Sequence, residues 1–227
     1  PRESWGSPLP HGVSGGIHES QSRLWENNAG RSLAFWEFWY PKTQKLFPAL
    51  KDVRLDDFYF AVNEVSPSFI RVEADELTYN LHILLRFELE RALLSGDLET
   101  ADLPEAWNSK FKNYFGLTVP DDSSGCLQDV HWGWGLFGYF PTYTLGSMNA
   151  AQFFLKAEQE IGGQDDNFRR GNFAPLKEWL TDNIHSQGRR WPSSALTEKV
   201  TGEPLAAKYL TGYLKEKLGD LYKVSFR

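Results

Sequence analysis

Apolar and polar positions follow the helical period along almost the whole chain. From about Gly12, Ile17, Leu24 and Trp25 recur at helix spacing, and the pattern ends near Ala29-Gly30. A second, aromatic helix is predicted from Ser32 to about Phe47, with Pro41 expected to bend or split it. Pro67 precedes a long predicted helix from about Arg71 to Leu94, stopped by Ser95-Gly96. Pro104 sits in the first turn of a short helix, where a proline loses no helical hydrogen bond, and Gly116 ends it. Further helices are predicted over residues 141–161, 172–186, 194–200 and 204–221. Residues 120–139, rich in glycine and aromatic side chains, read as ordered loop with room for a hairpin. Gly162-Gly163 and the polar Gln164-Asp165-Asp166 mark a connector, and only residues 58–62 suggest a strand. The prediction is one all-α, mainly helical domain over residues 1–227 with little or no β.

Composition narrows the classes. Apolar residues make up 41 % of the chain, enough to bury a core rather than remain disordered. The aromatic share is 15 %, which can thicken a core or line a cleft. A net charge of −6 without a basic block argues against a nucleic-acid surface. Cys126 is the single cysteine, so no internal disulfide forms, which fits a reducing cytosol. No apolar run approaches the roughly 18 residues of a membrane span, so no membrane partner is expected.

Three groups of residues could carry chemistry. In His18-Glu19-Ser20-Gln21, a helix puts Glu19, Ser22, Arg23 and Glu26 on one polar face. That face is either solvated, with a Glu19–Arg23 pair, or it offers Glu19 to a metal; zinc hydrolases commonly use two His and one Glu. On the long helix, Arg71, Asp75, Thr78, His82 and Arg86 fall within roughly 80° of one another beside a leucine face. Such a stripe is a buried hydrogen-bond network or the wall of a cleft, and His82 fits a satisfied core histidine. The third group is GCLQDVHWGWGLFGYFPTYTLG (residues 125–146), where five glycines and six aromatic rings surround Gln128, Asp129 and His131. It is a buried connector or a cleft wall with His131 and a tyrosine as donors.

Four strings in order, GIHESQSRLWEN (residues 16–27), IRVEADELTYNLH (70–82), GCLQDVHW (125–132) and GYFPTYTLG (138–146), closely resemble the thermostable carboxypeptidase 1, or carboxypeptidase Taq, family. The likeness runs from about Trp5 to the last helices. It implies a cytosolic, homodimeric, helical metallocarboxypeptidase with a long groove between two lobes. Such enzymes release C-terminal residues from peptides with broad specificity, using zinc or sometimes cobalt. Residue by residue, the resemblance makes Glu19 the third zinc ligand and Arg71 the group that grips the substrate's free α-carboxylate, a task a guanidinium fork suits. It makes His131 and Tyr143 catalytic and substrate-binding donors near the scissile carbonyl or the terminal carboxylate, with Tyr139 a rival for the tyrosine role. Asp75 would orient its neighbours. On this reading residues 1–161 bear the active site and 162–227 are C-terminal scaffold.

One departure bears on function. No HExxH occurs in these residues, nor do the family's HPF and DxRxT motifs. The resemblance places the HExxH helix, with two His ligands and the general-base Glu, shortly upstream of Pro1. The expectation is therefore a C-terminal fragment whose parent is an enzyme and which is itself inactive, with metal absent or weakly bound. Two alternatives are a helical peptide-binding or interaction module that has lost the chemistry, and an endo-acting oligopeptidase, which Arg71 disfavours.

Overall fold

Two serine caps fix the start of the chain. Ser14 accepts from Ile17 N at 3.1 Å and opens α1 (Gly15–Arg23); Ser32 accepts from Phe35 N at 3.2 Å and opens α2 (Leu33–Leu46). The computed structural model describes residues 4–226, and among them all regular structure is helical. Between these helices, Leu24–Ala29 form a π-helical turn. The remaining helices are α3 (Leu55–Asn63), α4 (Tyr79–Ser95), α5 (Leu103–Phe115), α6 (Pro141–Ile161), α7 (Gln164–Arg169), α8 (Ala174–Asn183), α9 (Ser193–Thr201) and α10 (Ala207–Tyr222). None of the described helices is long and apolar enough to cross a membrane.

The contacts divide into two compact units, one of Pro1–Val62 with Leu145–Arg227, the other of Asn63–Thr144. In the larger unit, Ile17, Leu24, Phe153, Phe168, Leu176 and Leu180 are buried together in its main core. Tyr213 on α10 donates to Asn27 O at 3.2 Å, tying the last helix to the π-helical turn. In the smaller unit, α4 and α5 bury Leu85, Leu89, Trp107, Phe111 and Phe115. A second cluster joins Tyr79 and Ile83 to Phe140, with Tyr143 packed against it.

Several expectations change. Residues 58–62 are helix, not strand: α3 carries Asp56 and Asp57 in its first turn, where their charges favour the helix N-terminus. Pro41 does not split α2; Glu37, whose carbonyl loses its helical donor there, is exposed and can be hydrated. The supposed connector after Gly163 is α7, with Asp165 and Asp166 in its first turn and Arg169 in its last. Residues 120–139 hold one 3₁₀ turn (Trp132–Trp134) and no hairpin.

The long helix does not start at Arg71. Arg71–Glu73 form a separate 3₁₀ turn, Ala74 is extended, and α4 begins at Tyr79. The cause is Asp75, whose carboxylate accepts from Leu77 N at 2.9 Å and Thr78 N at 2.8 Å. A side chain that satisfies those donors holds a local turn ahead of the helix and leaves the preceding residues outside it. Arg71 therefore shares no helix face with His82 and Arg86.

His82 is a core residue, 0 % exposed, but it is not satisfied: neither ring nitrogen has a hydrogen-bond partner. The Ser68 backbone favours its protonation without reaching hydrogen-bond geometry. Burial above all, with Arg86 and Arg71 repelling a further cation, pushes its imidazole down to about 3 from 6.5. Below pH 6.5 the unfolded chain then binds the proton that the folded chain refuses. Stability should fall as pH drops from 6.5 toward 3, by at most about 1.4 kcal/mol per pH unit from this group. Urea midpoints at pH 7 and pH 5 check this: wild type should lose more than His82→Gln, and an equal loss would place the effect elsewhere.

Candidate functional site

The smaller unit gathers most of the candidate residues around one carboxylate. Asp129 Oδ1 and Oδ2 accept from Arg71 Nε at 3.2 and 3.1 Å, and Oδ1 accepts from Arg71 Nη2 at 2.6 Å. Oδ2 also accepts from Arg86 Nε at 2.7 Å. Arg71 Nη1 donates to Tyr79 Oη at 2.9 Å, and Arg86 Nη1 donates to His82 O at 2.8 Å. Both arginines are nearly sealed from solvent, at 5 % and 0 % exposed. Aromatic faces complete their surroundings: Arg71 Cζ lies 4.9 Å from the Tyr143 ring centre and Arg86 Cζ 4.7 Å from that of Trp107.

The charges settle accordingly. Burial works to raise the Asp129 carboxyl, but the two guanidiniums outweigh it and hold it below the usual range. For Arg71, burial is outweighed by Asp129 and Tyr79, which hold the guanidinium firmly charged. For Arg86 burial wins and lowers it to about 10, still cationic at neutral pH.

The loop that carries Asp129 is fixed on either side of it. Gln128 Oε1 accepts from Arg71 N at 2.9 Å while its amide donates to Phe69 O at 3.0 Å. Glu90 on α4, 3 % exposed, accepts from Trp132 Nε1 at 2.8 Å and Gly138 N at 2.5 Å. Gly138 takes a φ of +80°, which a side chain would resist.

His131 and Tyr143 meet, with Nε2 and Oη 3.1 Å apart. His131 Nδ1 lies 3.8 Å from Asp129 Oδ1, too far for a hydrogen bond, and has no partner. Burial, with the two arginines, depresses the His131 pKa against the pull of Asp129. The neutral ring can exchange donor and acceptor roles with a hydroxyl. Tyr139 packs its ring 5.3 Å from His131 and 5.6 Å from Tyr143 but stays 42 % exposed.

Glu19 belongs to the larger unit, on α1. Its Oε1 accepts from Arg23 Nε at 2.9 Å and its Oε2 from Ser22 Oγ at 3.0 Å. Gly146 of α6 presses on it: a Cβ there would stand 2.7 Å from Glu19 Cγ. Gly16 meets Leu145 in the same way, at 3.2 Å from Cβ to Cβ. Two glycines thus let α1 and α6 approach closely where Glu19 sits. Among the described residues no three His, Cys, Asp or Glu side chains are grouped to hold a metal ion. Glu19 is a single candidate ligand, and the described residues do not by themselves fit a metal centre.

The sequence reading named Arg71, His131, Tyr143 and Tyr139, all within the smaller unit. It passed over the hub, Asp129, which it noted only as a polar loop residue. Asp129→Asn should cost roughly 3–5 kcal/mol, because two buried guanidiniums lose their counter-charge. Urea denaturation measures this, and an unchanged midpoint would show that the arginines are held by other means. Gly146→Ala should cost about 1–3 kcal/mol by overpacking against Glu19, read in the same way.

Comparison with known proteins identifies the family. The family model for carboxypeptidase Taq (M32) metallopeptidase matches residues 1–218. Thermostable carboxypeptidase 1 of Thermus thermophilus is 54 % identical over 222 residues, covering 98 % of this chain and 44 % of that protein. Carboxypeptidase 1 of Bacillus subtilis is 48 % identical over 218 residues, covering 96 % and 44 %. The crystal structure of M32 carboxypeptidase from Deinococcus radiodurans R1 superposes with a TM-score of 0.94 at 47 % identity, over 98 % of this chain and 45 % of that one. The chain thus spans less than half the length of these relatives, yet nearly all of it matches them. In sequence and in fold, it belongs to the carboxypeptidase Taq (M32) family of metallopeptidases.

Proposed function

We propose that this chain is the substrate-recognition part of a metallocarboxypeptidase and lends one ligand, Glu19, to its metal. Two His ligands and the general-base carboxylate come, on this reading, from an HExxH helix outside these residues, and the chain alone does not hydrolyse peptides. The observation that carries it is the state of Arg71. Asp129 fills the Nε–Nη2 edge of its guanidinium and Tyr79 takes one hydrogen of Nη1. Of its five N–H groups, one on each terminal nitrogen is left, which suits the two oxygens of a peptide's C-terminal carboxylate.

His131 and Tyr143 sit beside that fork, Tyr143 with its ring under the guanidinium and its hydroxyl on His131. Their role is to donate hydrogen bonds to the carboxylate or to the carbonyl next to it, with the depressed His131 pKa keeping a second cation away. Tyr139, more exposed, lines the approach. Zinc or cobalt as the metal, peptides of broad sequence as substrates, a cytosolic setting and homodimeric assembly of the whole protein rest on family membership alone.

Elemental analysis tests the reading in this chain and in a form extended upstream through an HExxH helix. The expected result is about one zinc per chain in the extended form only, lost in Glu19→Gln. Zinc in neither form would favour a non-catalytic peptide-binding module. Peptidase activity in the pure 227-residue chain, abolished by Glu19→Gln, would overturn the claim of inactivity. For Arg71, the extended enzyme should cleave free-acid peptides at least tenfold faster than C-terminal amides, and equal rates would sink that assignment.

A further inference from the structure

Tyr79 and Asn80 are neighbours in the first turn of α4, and each holds one side of the Arg71 site. Tyr79 Oη accepts from Arg71 Nη1 at 2.9 Å and so steadies the guanidinium. Asn80 Oδ1 accepts from Thr144 Oγ1 at 3.0 Å, a bond that ties the first turn of α6 to α4 across 64 residues. Both partners of that bond are half-buried and lie in the smaller unit. Thr144 directly follows Tyr143, whose ring centre stands 4.9 Å from Arg71 Cζ.

The first turn of a helix is its loosest part, because its leading N–H groups have no partner in the helix and its ends fray. In α6 the local bonds stay within the turn: Tyr143 N donates to Phe140 O at 3.2 Å and Thr142 Oγ1 to Tyr139 O at 2.7 Å. Phe140, buried with Tyr79 and Ile83, anchors the residue before the helix. The Asn80–Thr144 bond anchors the turn itself, one residue beyond the tyrosine. A recognition site must be held to about 0.5 Å and 10–20°, and a hydroxyl at the tip of a tyrosine magnifies any rotation of the turn beneath it.

We infer that Asn80 and Thr144 are positioning residues for carboxylate recognition, their bond aiming Tyr143 at the oxygens that Arg71 grips. One turn of α4 thereby sets both parts of the site, Tyr79 the fork and Asn80 the donor beside it. The inference rests on the roles given to Arg71 and Tyr143 under Proposed function.

The test follows cleavage of one peptide, as the free acid and as the C-terminal amide, by the extended enzyme and its Thr144→Val variant. Valine keeps the shape of threonine and removes the hydroxyl. KM for the free acid should rise about three- to tenfold, and the free-acid to amide ratio of kcat/KM should fall by the same factor. Cleavage of the amide should not change. Thr144→Ser, which keeps the hydroxyl, should restore the ratio. Asn80→Ala should match Thr144→Val, and the double variant should lose no more than either alone. Should Thr144→Val not fold, the same readings on Asn80→Ala decide the question. An unchanged ratio overturns the inference, and so does an equal loss on both substrates, which marks a merely structural bond. Thr144→Ser behaving as Thr144→Val overturns it too. A wild-type enzyme without preference for free acids would instead sink the Arg71 assignment itself, and this inference with it.

Discussion

The carboxylate of Asp129, set between Arg71 and Arg86, is the interaction on which the smaller unit depends. Two guanidiniums this far from solvent are tolerable only where a counter-charge is fixed in place. That counter-charge comes from an irregular loop, held by separate turn hydrogen bonds rather than a continuous ladder. The arginines and the loop therefore define each other. Gln128 and Glu90 extend the arrangement by bonding backbone on either side, so that His131, three residues after Gln128, arrives beside Tyr143.

The same logic, burial with partners supplied from elsewhere in the chain, separates the two kinds of candidate residue. Arg71 is oriented by side chains and keeps little freedom. Glu19 lies on a partly open helix face, its carboxylate bonded to Arg23 and Ser22 and its stem close against Gly146. On the function proposed above, a rigid fork loses little on binding.

Local signals made much of this fold legible. Gly96 and Gly116, both left-handed, end helices where the sequence placed the stops, and α6 runs over the residues its apolar period marked. Short-range competition was harder to read. Asp75 withdraws Arg71 from α4 through bonds to Leu77 and Thr78, an effect that periodicity averages over. The six residues of α7 are too few for a period to show behind Gly162-Gly163. Pairings across the chain were out of reach altogether: Arg71 finds Asp129 58 residues away, and only the fold chooses which acid it meets. The motif strings marked the candidate residues, but the partners that hold them come from the fold.

The order of the two units along the chain has a kinetic consequence. Asn63–Thr144 is continuous, whereas the larger unit is assembled from segments on either side of it. Ile17 and Leu24 find Phe153, Phe168 and Leu180 only after the intervening stretch has been closed into a loop, and that closure carries an entropic cost before any contact rewards it. If the inserted stretch collapses first, it draws its own ends together and shortens the effective loop. The smaller unit then acts as a staple during folding, and weakening Asp129 would slow formation of the larger unit's core.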